Sequence, residues 1–457
     1  MATTEPDESS AAAAPSRIGL YAWYALGVLV LVYVLNFIDR QILSILAEDI
    51  KADLGLEDAQ IGFLYGTAFA VFYALFGIPL GRLADSWYRG RLMAMGLALW
   101  SSMTALSGFA NSFAMLAVAR IGVGIGEASA SPAAYSIISD YFPKERRATA
   151  LSVYSSGLYI GAGVSLPIGG FVLSQWNQAW PVAAEAPLGL AGWQAAFLAV
   201  GVPGLLLALW VLTLKEPLRG ASEGLDQPIA RPHAWRDFGR ELMAILPPLT
   251  LVNVSRIPGA LRVNLIALAG VAIAALALIA LTGSAPQWAA YGLGVYAVFS
   301  WVQSLKHRDP PTWRLIWGTP TVIMLAAAFG SISFVVYAVG FWGPPYVLRT
   351  FYPDPTGPAA FIGGMTAAEE VATILGWSAA IAAALGVILG GVVSDLWRRY
   401  DPRGRLFVNM AAVALPAPVV WFMFTTDSLA AFYWTNPIYH LFAAAWVGAA
   451  VATLQDL

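Results

Sequence analysis

The stretch Gly81-Arg82-Leu83-Ala84-Asp85-Ser86-Trp87-Tyr88-Arg89-Gly90-Arg91 leaves one apolar segment and enters the next, with an acid and three arginines between them. A related stretch returns far downstream as Gly391-Val392-Val393-Ser394-Asp395-Leu396-Trp397-Arg398-Arg399, closed by Arg403-Gly404-Arg405. Both read Gly-x-x-x-Asp-x-Trp and then Arg-Gly-Arg, and in both the chain goes straight back into apolar sequence. An internal repeat of this kind in a membrane protein usually marks a transporter built from two similar halves.

The membrane setting follows from composition. The chain of 457 residues is 59% hydrophobic and 11% charged, where a soluble protein is about 25% charged. Such a chain cannot hide its apolar residues in a soluble core. Apolar segments fall at 20–46, 61–83, 92–110, 113–138, 147–174, 192–214, 264–282, 286–304, 318–343, 372–394, 405–425 and 430–453. These are twelve candidate spans, each long enough as a helix to cross a bilayer. Twenty-five basic against 27 acidic side chains give no hint of nucleic-acid binding, and the lack of cysteine excludes disulfides, thiol catalysis and thiolate metal sites. The first 16 residues lack a basic region and a cleavage signal, and read as a disordered tail.

Orientation follows from where Lys and Arg collect. Connections carrying Arg82, Arg89 and Arg91, then Lys144, Arg146 and Arg147, then Lys215, Arg219, Arg231, Arg236 and Arg240 alternate with connections almost free of basic residues. The N-terminus is therefore expected in the cytoplasm. The first outer connection, Glu48 to Asp58, sets one Lys51 among five acids, which agrees.

The repeat also counts helices. Two six-helix halves would place six spans between the two loops, but eight lie between Asp85 and Asp395 and two follow. An inserted hairpin and an early stop explain the count. The expected division is a disordered tail at 1–19, a six-helix half at 20–214, a cytoplasmic linker at 215–257, an inserted helical hairpin at 258–312, and the first four helices of a second half at 313–457. The last two helices are then expected to be lacking. The alternative is a full twelve-span protein with an unequal repeat. The hairpin offers nothing chemical, and a peripheral, lipid-facing role is expected for it.

Ionisable side chains inside spans cost roughly 2.5 to 3.5 kcal/mol on insertion scales and are functional candidates for that reason. The first helix carries Asn36-Phe37-Ile38-Asp39-Arg40, and the fourth carries Arg120-Ile121-Gly122-Val123-Gly124-Ile125-Gly126-Glu127. Arg120 and Glu127 are seven residues apart and share a helix face. Asp39 and Glu127 fit proton coupling, because a buried carboxylate with an arginine neighbour can titrate. Arg40 and Arg120 fit an oxyanion, which a guanidinium holds bidentately. The other reading is that these four charges pair and merely join two helices. Glycines at 122, 124 and 126, and at 157, 161, 163, 169 and 170 around Pro167, suit close helix contact. His440 could relay a proton or simply bond a carbonyl. Tyr65, Tyr159 and Tyr337 are candidate substrate-binding residues, and Tyr73, Tyr154, Ser155, Ser331, Ser333 and Trp342 are further cavity candidates. His233 and His307 read as solvated. Asp85 can attract Arg89 or Arg91, or face a helix N-terminus of the other half and latch the inner side. No His-x-x-x-His, paired-Asp or Ser-His arrangement appears in the spans, so an enzyme is not expected, and no metal site is.

Gly81 to Arg91 resembles motif A of the major facilitator superfamily, and Asn36-x-x-Asp39-Arg40, Arg120 to Glu127 and the glycine-proline helix resemble its motifs D, B and C. With Ser131-Pro132-Ala133-Ala134-Tyr135 and the stretch Ile138 to Ala150, the chain is similar to the Spinster family in particular. The resemblance covers mainly residues 30 to 175. It implies an all-α integral membrane fold, a bundle of two helical halves, and alternating-access export of an amphipathic lipid such as sphingosine-1-phosphate or a lysophospholipid, with the proton as the coupling ion and no other cofactor. Carried over, Asp39 and Glu127 are the protonation candidates, Arg40 and Arg120 hold the anionic head group or pair with the acids, and Gly81, Asp85, Arg89, Arg91 and Asp395 form the gating motif. A monomer in a bacterial inner membrane is expected, with membrane lipids around it. A drug/proton antiporter, an organophosphate exchanger and a non-transporting membrane receptor are the rival readings.

Overall fold

The computed structural model describes residues 19–446 apart from 221, 223–227, 353, 355 and 402. Residues 1–18 of the tail expected at 1–19, and residues 447–457, lie outside these. Among the described residues the fold is helical, with one isolated bridge between Pro358 and Thr366. In chain order the first half comprises α1 (Leu20–Leu54), α2 (Asp58–Ser86), α3 (Arg89–Ser107), α4 (Phe113–Tyr141), α5 (Lys144–Ala179) and α6 (Gly192–Leu212). Two short helices follow, α7 (Ala234–Ile245) and α8 (Leu249–Ser255), then the hairpin α9 (Ala260–Thr282) and α10 (Ala285–Arg308), then α11 (Pro310–Trp317). The second half comprises α12 (Pro320–Phe351), α13 (Ala367–Arg398), α14 (Gly404–Ala414), α15 (Pro416–Thr425) and α16 (Leu429–Ala444).

Local sequence explains the boundaries. Gly55, in the left-handed region at φ 63°, ends α1, and its N–H returns to the Lys51 carbonyl. Ser112 caps α4 and Ser428 caps α16 by accepting from a backbone N–H three residues on. Thr366 and Glu369 form a reciprocal capping box at the start of α13. Pro310 and Pro320 open α11 and α12, where a missing N–H costs nothing.

Nine helices reach the length and apolar character of a membrane span among the described residues, with Leu406–Thr425 crossing the α14–α15 junction as one of them. The three other expected spans, 92–110, 286–304 and 430–453, are mostly helical where they are described but fall short of that measure. Arg89 and Arg91 open α3, Lys306, His307 and Arg308 close α10, and only 16 residues of α16 are described. The linker is more than a connection, since α7 and α8 occupy much of it.

Lys and Arg define one end of the bundle, here the basic end, which carries Arg82, Arg89 and Arg147; the opposite end, with Glu48, Asp53 and Asp58, is the acidic end. The apolar core is distributed unevenly between them. At the acidic end one cluster joins the halves, uniting Leu43, Leu46, Ile50 and Leu64 with Phe341, Val347, Val371 and Leu375. At the basic end a second cluster stays within the first half, around Leu26, Leu29, Met93, Leu97, Trp100 and Ile138. In lipid such contacts hold by close packing rather than by escape from water, so small residues matter. A Cβ on Gly376 of α13 would lie 2.5 Å from both the Gly163 carbonyl oxygen and Pro167 Cδ of α5. Only glycine lets these helices meet there. Beyond that contact α13 leaves the first half and packs on α16, where a Cβ on Gly386 would lie 2.1 Å from the Leu441 carbonyl, with Leu385, Ile388 and Leu389 exposed. The halves are thus closed at the acidic end and splayed at the basic end.

The hairpin is placed differently on its two helices. The apolar part of α9 is unburied, as a lipid-facing helix should be. By contrast α10 lies along α2: Thr67 donates to Gln287 at 2.7 Å, Leu75 packs on Ala297, and Arg82 reaches Asp309 at 3.3 Å.

Candidate functional site

Four charged side chains from α1 and α4 meet inside the first half. Gly126 of α4 lets that helix press against α3 behind them, because a Cβ there would stand 2.7 Å from the Gly96 carbonyl and 2.9 Å from the Trp100 Cβ. Arg40 Nε donates to Glu127 Oε2 at 2.6 Å. The rings of Phe37, Phe69 and Tyr73 stand 4.9, 4.7 and 4.9 Å from its guanidinium carbon, a cage that favours a cation. Arg120 meets neither carboxylate. Its Nε donates to the Leu64 carbonyl at 3.3 Å and its Nη1 to the Asp39 carbonyl at 3.1 Å. Leu64 sits in a π-helical turn, Phe63–Thr67, whose wider winding lets a side chain insert into the backbone ladder. Arg120 is 1% exposed and joins α4 to the backbones of α1 and α2, within electrostatic reach of Glu127 and Asp39 but without a direct ion pair to either.

Asp39 is fully buried, and neither carboxyl oxygen has a hydrogen-bond partner. The Thr104 hydroxyl and the Trp100 indole lie beside it as the nearest polar groups. Asn36 Oδ1 and Glu127 Oε1 are also buried without partners. A buried polar group left unpaired costs about 1–3 kcal/mol, and more when charged. A cluster of them in one place is a strained arrangement that a proton or an ordered water would relieve.

A cavity of about 390 Å³ opens between the halves next to this cluster. None of its lining side chains carries a formal charge among the described residues. Tyr159 and Tyr337 line it, as do Ser155, Ser333 and His440. Tyr337 also lies within electrostatic reach of Arg40, which connects the cavity to the charges behind Phe37 and Gln41. Tyr65 is placed elsewhere: its ring stacks on Phe341 at 3.9 Å and its hydroxyl donates to Gln41 Oε1 at 2.9 Å, inside the contact between halves. Tyr154 is occupied in stacking on Tyr33 at 4.4 Å, and the Ser331 hydroxyl bonds the Ala327 carbonyl. Trp342 belongs to the acidic end, 5.8 Å from the Arg349 guanidinium.

The acidic end is held by ions. Arg349 of α12 donates to Glu48 of α1 at 2.6 and 2.9 Å and to Asp58 of α2 at 2.7 and 2.9 Å, while Lys51 holds Asp58 at 2.7 Å. Below them the Ser44 hydroxyl donates to the Phe341 carbonyl at 2.6 Å. At the basic end the expected pairing of Asp85 with Arg89 or Arg91 is corrected. Arg89 is fully buried and pairs with Asp140 and with Glu216, the latter at 2.7 Å. Arg91 stacks on Tyr88 at 4.5 Å. Asp85 is exposed and makes no hydrogen bond or ion pair among the described residues, and nothing packs where a Cβ on Gly81 would stand. In its place Arg219 closes the carboxyl end of α2, donating to the Ala84 and Trp87 carbonyls at 2.7 and 2.6 Å. The side chain of Asp395 lies outside the described residues.

Arg349, Glu216 and Arg219 were not among the sequence candidates. A signal for Arg349 existed, since a single basic residue at an end otherwise poor in them faces the acids of the first connection. Glu216 and Arg219 carried none, because a charged residue after a span reads as ordinary flanking sequence.

Known proteins fit this geometry. The chain is 37% identical over 209 residues to an MFS-type efflux pump of Mycolicibacterium smegmatis, covering 45% of each. It is 30% identical over 184 residues to a probable L-galactonate transporter of Escherichia coli, covering 40% of this chain and 37% of that protein. The matches thus span less than half the length of either relative. A solved structure of a bacterial homologue of the human lysosomal transporter Spinster, in an inward-facing and occupied conformation, is 27% identical with a TM-score of 0.61, covering 94% of this chain and 74% of that one. The family description Major Facilitator Superfamily matches residues 29–457. This all-helical, membrane-spanning chain belongs to the Major Facilitator Superfamily, whose members are transporters rather than enzymes, and within it resembles Spinster.

Proposed function

We propose that the protein is a secondary active transporter that works by alternating access and couples an amphipathic anion, of the lysophospholipid or sphingosine-1-phosphate type, to protons. The observation that carries this reading is the Arg40–Glu127 ion pair beside the unpaired Asp39, set against a neutral, mainly apolar cavity between two halves. Glu127 and a substrate anion compete for the same guanidinium. A proton on Glu127 releases Arg40, whose planar fork then accepts a phosphate or carboxylate, so proton and anion bind together. Asp39 is the second proton acceptor, held ready by its lack of partners. Tyr159, Tyr337 and the apolar walls take the acyl chain.

The basic end is cytoplasmic under this reading, so the splayed conformation faces inward, and the protein works as a monomer in a bacterial inner membrane. Gly81 and Asp85 stand free because the inner side is open; closing it brings the second half against them. The likeness to an efflux pump supports drug/proton antiport as a second reading, and the likeness to an L-galactonate transporter supports a small organic acid. Both ask for a more polar or more acidic cavity wall than the one described.

Uptake into liposomes across a pH gradient, with a lysolipid, a cationic drug and a sugar acid as parallel substrates, decides among them. Lysolipid uptake driven by the gradient is expected. Drug or sugar-acid uptake in its absence would overturn the substrate class.

A further inference from the structure

The second half contributes its own polar group to the cavity, and its chemistry differs from that of Arg40. His440 on α16 lines the cavity together with Asn436, one turn earlier. Its Nδ1 lies 2.9 Å from the Asn436 carbonyl oxygen. A carbonyl only accepts, so Nδ1 must carry the hydrogen, and the neutral ring then presents Nε2 as a bare lone pair. The ring cannot easily turn away. Tyr439 packs edge-on at 4.9 Å and 81°, and Asn436 is itself held by donating to the Ser378 hydroxyl at 2.8 Å. The wall around it, with Ala379, Ala383, Met423 and Phe432, offers no charge.

We infer that His440 Nε2 is a substrate subsite that accepts a hydrogen bond from a hydroxyl or ammonium group next to the anionic head. This rests on the reading of the substrate as an amphipathic anion and narrows it. An anion alone would satisfy Arg40 and leave Nε2 dry and unpaired. A ligand that also carries a donor satisfies His440 on the second half as well. The substrate then touches both halves, since Tyr33, Phe37 and Tyr159 of the first line the cavity with Tyr337 and His440 of the second. A simple fatty acid or alkyl phosphate lacks that second handle.

The test uses the full chain in detergent with two probes, 1-lauroyl lysophosphatidic acid and its analogue lacking the free glycerol hydroxyl. The wild-type protein is expected to bind the hydroxyl-bearing probe about tenfold more tightly, the scale of one neutral hydrogen bond in a dry site. His440→Phe should erase that preference while leaving affinity for the deoxy probe within about twofold. His440→Gln, which keeps an acceptor, should retain part of it, and it serves as the second reading if the phenylalanine variant unfolds. Equal affinity of the wild type for both probes would overturn the subsite. So would equal losses for both probes in either variant, since a ring that acts as a cation or a packing element weakens both. A wild-type protein that binds neither probe would overturn the amphipathic-anion reading itself, and the subsite with it.

Discussion

Replacing Arg349 with alanine removes a residue that ties the second half to two acids of the first at the acidic end. Glu48 and Asp58 each receive two hydrogen bonds from its guanidinium. The side chains are partly open, at 35% for Arg349, 24% for Glu48 and 48% for Asp58, so solvent screening reduces the value of each pair. Two such pairs, Asp58 held through both carboxylate oxygens and Glu48 through Oε1 alone, contribute about 1–2 kcal/mol together. The clamp exists only when the acidic end is closed, so this energy appears in the equilibrium between the two conformations. Its loss should shift that equilibrium roughly 5- to 30-fold toward the form open at the acidic end. The chain has no cysteine, so spin labels can be placed at two introduced cysteines, Ala52→Cys on α1 and Thr350→Cys on α12, without background. Both positions are exposed. Double electron–electron resonance should show a growing long-distance population in the Arg349→Ala variant. High salt should move the parent protein part of the way, because these ions are accessible to screening. An Arg349→Ala variant with the parent's distance distribution would show that the ion pairs do not hold the halves together.

Arg89→Ala should be severe by a different route. It strands Asp140 and Glu216 beside a buried space and deprives the Pro217 carbonyl of its donor. Removing one member of a buried ion pair costs about 3–5 kcal/mol, which thermal unfolding in detergent will report as a large fall in Tm. Gly376→Leu drives a side chain into the backbone of α5 and should open the acidic end as Arg349→Ala does, read by the same spin labels. Asp85→Asn, at an exposed and unpaired position, should leave thermal stability within about 0.5 kcal/mol of the parent. A larger loss would mean that Asp85 has a partner in this conformation.

Much of the fold is readable in the chain because lipid imposes a simple rule. Every backbone group must be paired within its segment, so a long apolar run is a helix. The two Gly-x-x-x-Asp loops, the hairpin between them and the charges at Asp39, Arg40, Arg120 and Glu127 all follow from position along such runs. Pairing does not. Arg40 and Arg120 look equivalent in sequence, yet a π-turn in α2 presents backbone oxygen to one, and three aromatic rings enclose the other. Asp85 and Arg89 are four residues apart and look like natural partners, but α2 ends at Ser86 and α3 begins at Arg89. The break turns Arg89 inward, to acids brought by the end of α4 and the chain after α6. Tyr65 and Tyr159 show the same limit for aromatic residues. One seals the contact between halves and the other faces the cavity, a difference set by helix rotation alone.

Proton coupling through the Arg40–Glu127 pair is the claim on which the functional reading depends most. Its direct measurement is lysolipid flux into liposomes with and without an imposed pH gradient, for the wild type and for Glu127→Gln. The glutamine cannot take or release a proton, and it leaves Arg40 without its ionic partner. Wild-type flux should rise with the gradient, while Glu127→Gln should still bind the lysolipid yet move it at a rate that ignores the gradient. Gradient-driven accumulation by Glu127→Gln at the wild-type rate would contradict the coupling.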